Sequence, residues 1–129
     1  MRISVIQSEQ KFRYDVNRPG RYNLALCRRL AQAGIDETFS MMEQAARDGS
    51  RLIVTIEAFN ASVSPQDPRY HFPDVAEPLD GPLMKRLAAL ARRYSVYLVA
   101  GLYTARKNKA YNSAVLIGPR GRLEGIFDK

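Results

Sequence analysis

One cysteine, one histidine and no tryptophan stand among the 129 residues of this chain. Cys27 has no intrachain partner for a disulfide, so a reducing, cytoplasmic setting is expected. With His71 alone, neither a zinc cluster nor a serine-histidine triad can be assembled from these residues. Long apolar runs are also missing. Nothing approaches the roughly 20 residues of a membrane span or the pattern of a signal peptide, and no membrane partner is expected. Acidic residues are the minority, 13 against 20 Lys and Arg, which leaves a formal charge of +7. That excess would attract anions. Its distribution argues against a nucleic-acid surface: Arg28-Arg29, Lys85-Arg86, Arg92-Arg93 and Arg106-Lys107 are short, scattered groups without the interleaved aromatics that stack bases.

What is present is an ordinary globular mixture, 46% apolar and 26% charged. A chain of this length can bury roughly two-thirds of the surface it exposes when unfolded, enough for one core. Ile3, Val5 and Ile6 mark a first strand. Phe12 to Tyr22 has no period and reads as a loop. Asn23 is placed to cap a helix carrying Leu24, Cys27 and Leu30. A second helical run carries Ile35, Phe39, Met42 and Ala46 up to Gly49, and the sequence leaves open whether Gly34 divides the two.

Leu52 to Ile56 is a nearly continuous apolar, β-branched run, the pattern of a strand covered on both faces, and it stops at Glu57. Four prolines, Pro65, Pro68, Pro73 and Pro78, then predict a long irregular loop that can wall a pocket. Asp80 is placed to cap the next helix, with Pro82 preset to the helical φ, and Leu83, Leu87, Leu90 and Tyr94 form its core stripe. Val96–Leu102, Asn112–Ile117 and Leu123–Phe127 are three further strand candidates. A polar loop from Thr104 to Ala110 joins the first two, and the turn Gly118-Pro119-Arg120-Gly121 joins the last two.

Strands separated by helices are expected to run parallel, and the two hairpins reverse the chain twice. Glu57 and the Asp128-Lys129 pair are therefore predicted on one edge of one sheet, with Tyr111 and Asn112 beside them. Open α/β sheets place ligands outside the carboxyl ends of their strands. A carboxylate beside an ammonium can move a proton and stabilise an oxyanion. A solvated salt bridge at a sheet edge is the simpler reading, and spacing alone does not decide between them.

Three stretches resemble the nitrilase, or carbon-nitrogen hydrolase, superfamily. They are Leu52-Ile53-Val54-Thr55-Ile56-Glu57; Ala76 to Pro82 running on to Val96-Tyr97-Leu98-Val99-Ala100-Gly101; and Tyr111 to Pro119 followed by Gly125-Ile126-Phe127-Asp128-Lys129. The resemblance implies half of a four-layer α-β-β-α sandwich: an α/β unit with a mixed sheet and helices packed on one face. It implies hydrolysis of a small-molecule amide, carbamoyl or nitrile substrate through a cysteine thioester, with no cofactor. Glu57 matches the family's general base and Lys129 the residue that holds the oxyanion. The family's cysteine lies beyond the lysine, so residues 1–129 are expected to be a partial domain, inactive alone, in a protein that forms a homo-oligomer. Ile56 stands where the family usually has proline, and Asp128 where it has a basic residue.

Cys27 is not expected to be the nucleophile, because it falls within a helix rather than at a strand end. Arg28 and Arg29 beside it would favour a thiolate, but its place in the chain is wrong. Glu77, His71 and Tyr103 are candidates for a pocket mouth, with exposed loop as the default for each. The alternative reading of the whole chain is a non-catalytic half-fold serving as an assembly or interaction module.

Overall fold

The computed structural model describes residues 1–9, 24–61 and 76–129. The expected cap at Asn23, the loop from Phe12 to Tyr22, His71 and most of the proline-rich segment lie outside the described residues. The elements in chain order are β1 (Ile3–Ile6), α1 (Leu24–Arg47), β2 (Leu52–Thr55), β3 (Glu77–Pro78), α2 (Pro82–Tyr94), β4 (Tyr97–Arg106), β5 (Lys109–Ile117) and β6 (Leu123–Asp128).

Gly34 does not divide the first helical region, since α1 is one helix of 24 residues. An interior glycine costs a helix about 1 kcal/mol relative to alanine. Here it is buried, and the Thr38 hydroxyl donates back to its carbonyl at 2.8 Å. The helix ends at Gly49, whose φ of +89° and the Ser50 N–H bond to the Ala45 carbonyl at 3.0 Å close the last turn.

The start of α2 corrects one expectation. Gly81 occupies the cap position without a side-chain hydrogen bond, and Asp80 is exposed. The Glu77 carboxylate, reaching from β3, accepts the free Leu83 N–H at 2.7 Å instead. Sequence proximity favoured Asp80, whereas the turn that brings Gly81 N–H to the Pro78 carbonyl at 2.9 Å folds Glu77 over the helix end. The predicted stripe holds: Leu83, Leu87 and Leu90 are buried, with Met84 and Ala91 filling beside them.

The sheet runs β1-β2-β4-β5-β6, with β3 paired to the far end of β4. β1, β2 and β4 are mutually parallel, whereas β4, β5 and β6 are antiparallel, so the sheet is mixed as expected. The polar loop predicted from Thr104 to Ala110 is mostly strand. Pairing continues to Arg106 and Lys109, and only Lys107 and Asn108 turn, with φ of +49° and +61°. Such a two-residue hairpin suits the twist of the flanking strands.

Beyond β2 the chain leaves the sheet, and β4 finds other partners. The Phe59 N–H donates to the Gly101 carbonyl at 3.1 Å. The Asn60 side-chain amide serves both backbone groups of Tyr103, donating at 3.0 Å and accepting at 2.9 Å. β3 then pairs with Thr104 and Ala105. This succession keeps the buried backbone of β4 hydrogen-bonded while freeing Glu57 from the ladder.

Both helices pack on one face of the sheet. Phe39 and Met42 from α1, and Leu83 and Leu87 from α2, share a core with Ile53, Leu98, Ala100, Leu102, Val115 and Ile117. No helix among the described residues covers the opposite face, which is bare except where Ala58 and Ala61 pack on Tyr103. β2, expected to be covered on both sides, alternates buried and half-buried positions instead. Val5 and Phe127, register partners of Val54 and Ala114, are 72% and 70% exposed. No helix among the described residues is long and apolar enough to cross a membrane.

Candidate active site

Side chains alternate across a strand, so the residues between the core positions project toward the bare face. Val54 on β2, Val99 and Gly101 on β4, Asn112 and Ala114 on β5, and Phe127 on β6 border a cavity of about 300 Å³ there. Glu57 and Lys129 stand at its edge. The Lys129 Nζ lies 3.3 Å from Glu57 Oε1. The Asn112 amide nitrogen donates to the same carboxylate oxygen. The Asn112 carbonyl also accepts the Lys129 backbone N–H at 2.9 Å, so one asparagine touches both charged residues.

The turn after β2 gives Glu57 its place. Ala58, the next residue, has a φ of +52°. That left-handed conformation costs an L-residue roughly 1–2 kcal/mol, and such strain concentrates at functional sites. Underneath, Gly101 has no side chain to obstruct the passing chain: a Cβ there would stand 2.6 Å from the Ile56 carbonyl oxygen. The Thr55 hydroxyl accepts the Gly101 N–H at 3.1 Å and ties the turn to β4.

Glu57 titrates below the usual glutamate range, first because of the Asn112 hydrogen bond, then through the hydrogen bond and charge of Lys129. It is therefore ionised at neutral pH and able to accept a proton. The pair is open to solvent, with the Glu57 and Lys129 side chains 59% and 74% exposed. Exposed ion pairs stabilise a fold by about 0–1 kcal/mol, so stability is a weak reason for this arrangement.

Tyr111 stands beside Asn112 on this edge, as expected, but does not border the cavity; it lies under the Arg106 guanidinium, 4.1 Å from the ring centre. Tyr103 is in β4 rather than in an exposed loop. It is buried, packs with Ala58 and Ala61, and does not border the cavity. Burial, and secondarily the charge of Glu57, pushes its phenol pKa up. Glu77 serves the start of α2. Cys27 is buried on α1, whose core partners lie on the opposite side of the sheet.

A larger cleft of about 420 Å³ lies between α1 and α2, bordered by Arg28, Gln32, Glu77 and Arg86. Two of its charged groups are already engaged: Arg86 pairs with Asp36 at 2.6 Å and stacks on Phe39, and Glu77 holds Leu83. The smaller cavity is the one at which a carboxylate and an ammonium meet.

A mixed α/β layer with helices on one face, and a carboxylate and an ammonium meeting at the carboxyl ends of its parallel strands, defines a class of ligand-binding α/β protein. The family is narrower. The model of the carbon-nitrogen hydrolase family matches residues 4–129, and the chain belongs to that family. Human omega-amidase NIT2 is 33% identical over 91 residues, covering 70% of this chain and 32% of that protein. The bifunctional nitrilase/nitrile hydratase NIT4 of Oryza sativa subsp. japonica is 32% identical over 118 residues, covering 75% and 32%. Among solved structures, the C. elegans NitFhit protein superposes with a TM-score of 0.70 at 17% identity, over 98% of this chain and 27% of that one. An amidase from Nesterenkonia sp. gives 0.59 at 20% identity, over 77% and 37%. The chain spans about a third of the length of the curated relatives it matches.

Proposed function

We propose that these residues supply the general base and the oxyanion-holding group of an amidase-, carbamoylase- or nitrilase-type hydrolase whose cysteine nucleophile lies outside residues 1–129. The observation that carries this reading is the 3.3 Å approach of Lys129 Nζ to Glu57 Oε1 at the edge of an apolar cavity. The names of the relatives, an omega-amidase and a nitrilase, support the substrate class.

On an amide, Glu57 takes the proton of the thiol and the thiolate attacks the carbonyl carbon. The negative oxygen of the tetrahedral intermediate forms beside the Lys129 ammonium, which stabilises it as charge develops. Glu57 returns its proton to the departing amine, the C–N bond breaks, and a thioester remains. It then deprotonates a water that attacks the thioester, releasing the acid and the thiol. Asn112 keeps the carboxylate aimed at the cavity throughout.

The test is made in the complete protein. Glu57→Gln and Lys129→Ala are each expected to reduce turnover by at least about a thousandfold, the scale of losing one such group, with the fold intact. Activity near wild type in either variant refutes the assigned role.

A second reading rests on the bare face carrying Val5 and Phe127, because large exposed apolar surfaces mark interaction sites. It makes the chain an assembly module. Sedimentation of residues 1–129 as a folded monomer that binds no apolar dye rules this out.

A further inference from the structure

Asp128 and Lys129 are neighbours in sequence but face opposite sides of the sheet. Lys129 reaches Glu57 on the bare face. Asp128 is in register with Ser113, and its carboxylate accepts the Ser113 hydroxyl proton at 2.7 Å and the Arg106 guanidinium at 2.6 Å. Ser113 in turn lies 2.7 Å, oxygen to oxygen, from the buried Thr104 hydroxyl. The Arg106 guanidinium is set by the Tyr111 ring beneath it, 4.1 Å away. These contacts tie β4, β5 and β6 together laterally at the end of the sheet where Asn112 and Lys129 emerge on the other side.

We propose that Arg106, Asp128 and Ser113 form a positioning unit that fixes the end of β6, and so holds the Lys129 ammonium against Glu57. This rests on the roles proposed above for Glu57 and Lys129. None of the three touches the reacting atoms in that mechanism.

Two physical arguments support it. The first is geometric. The Lys129 backbone has one hydrogen bond to β5, at the last position of the ladder, where strands fray. The Asp128 side chain adds two charge-assisted bonds to two different strands one residue earlier. Charge-assisted bonds are roughly twice as strong as neutral ones, and the Asp128 and Arg106 side chains are only 31% and 25% exposed, so solvent screens them less than the Glu57–Lys129 pair. The second is electrostatic. Without Arg106, the Asp128 carboxylate would leave an unmatched negative charge one residue from Lys129. With Arg106 in place, that charge is matched on the far side of the sheet.

The primary test is Asp128→Asn in the complete protein. The side chain keeps its shape and can still meet Ser113, but loses its ion pair with Arg106. The readout is the titration of the Glu57 carboxyl carbon, followed by ¹³C NMR. Removing a negative charge near Glu57 would by itself lower its pKa. Loosening Lys129 would raise it, so the two explanations predict opposite signs. The expected result is a rise of about half a unit or more, together with a kcat about tenfold lower and a KM changed less than about twofold. Arg106→Lys, which keeps the charge, is expected to retain most of the kcat that Arg106→Gln loses.

An unchanged or lowered Glu57 midpoint in Asp128→Asn overturns the proposal, and so does an equal loss in Arg106→Lys and Arg106→Gln. If Asp128→Asn does not fold, Arg106→Lys and Arg106→Gln decide; if neither Asp128→Asn nor Arg106→Gln folds, the group is a structural tie and the proposal fails. Failure of the parent reading looks different: Glu57→Gln would then retain turnover, whatever Asp128→Asn does.

Discussion

A Cβ placed on Gly101 would stand 2.8 Å from the Cα of Glu57. The atoms in the way are backbone, so no side chain can swing aside. Gly101→Ala is therefore expected to cost about 1–3 kcal/mol through overpacking and to move Glu57 away from Asn112. Urea unfolding measures the first effect, and the amide proton shifts of Glu57 and Ala58 measure the second. An unchanged midpoint and unchanged shifts would mean that the turn yields without resistance.

Asn112 is the largest cause of the lowered Glu57 pKa, so Asn112→Ala is expected to move that titration up toward the ordinary glutamate range. The sign for stability follows. A carboxyl whose folded pKa lies below its unfolded value adds stability above the unfolded pKa and loses it as pH falls through the folded one. The variant should show a smaller fall in stability between neutral pH and the acid range than the parent. Denaturant unfolding at several pH values checks this.

The start of α2 offers a direct choice between two carboxylates. Glu77→Ala removes the acceptor of the Leu83 N–H and is expected to cost about 0.5–2 kcal/mol. Asp80→Ala should stay within about 0.5 kcal/mol, as exposed substitutions usually do. Thermal unfolding of the two variants side by side gives the ranking, and a larger loss for Asp80→Ala would contradict the structure.

Leu98 is fully buried at the centre of the sheet between Ile53 and Ile117. Leu98→Ala should destabilise the fold by about 2–5 kcal/mol, the range for a leucine truncated in a packed core. Tyr97→Ala, next in sequence but 44% exposed on the bare face, should cost much less. Equilibrium unfolding of both variants tests the assignment of faces.

The elements legible in the sequence were those whose signal is local and periodic. The apolar run before Glu57, the stripe of α2 and the Gly118–Gly121 turn all stand where their patterns put them. So does the convergence of Glu57 with Lys129, because strand direction follows from counting reversals. The contacts that hold the site were not legible. Asn60 fills a gap in the ladder of β4, Glu77 reaches six residues forward to α2, and Arg106 finds Asp128 across two strands. Each is made by a polar side chain that carries no period, and the partner is chosen only once the chain has folded. The polar composition from Thr104 to Ala110 predicts a longer loop than the two-residue turn at Lys107-Asn108, because strand pairing there overrides it.

The alternation at the end of β6 also acts as a check on assembly. Sliding that strand by one residue would exchange the two sides of the sheet. Asp128 would then confront the carboxylate of Glu57, and Lys129 would be pressed toward the guanidinium of Arg106. Both encounters are repulsive, so this misalignment is penalised twice, and the charge pattern that joins Glu57 to Lys129 also proofreads its alignment.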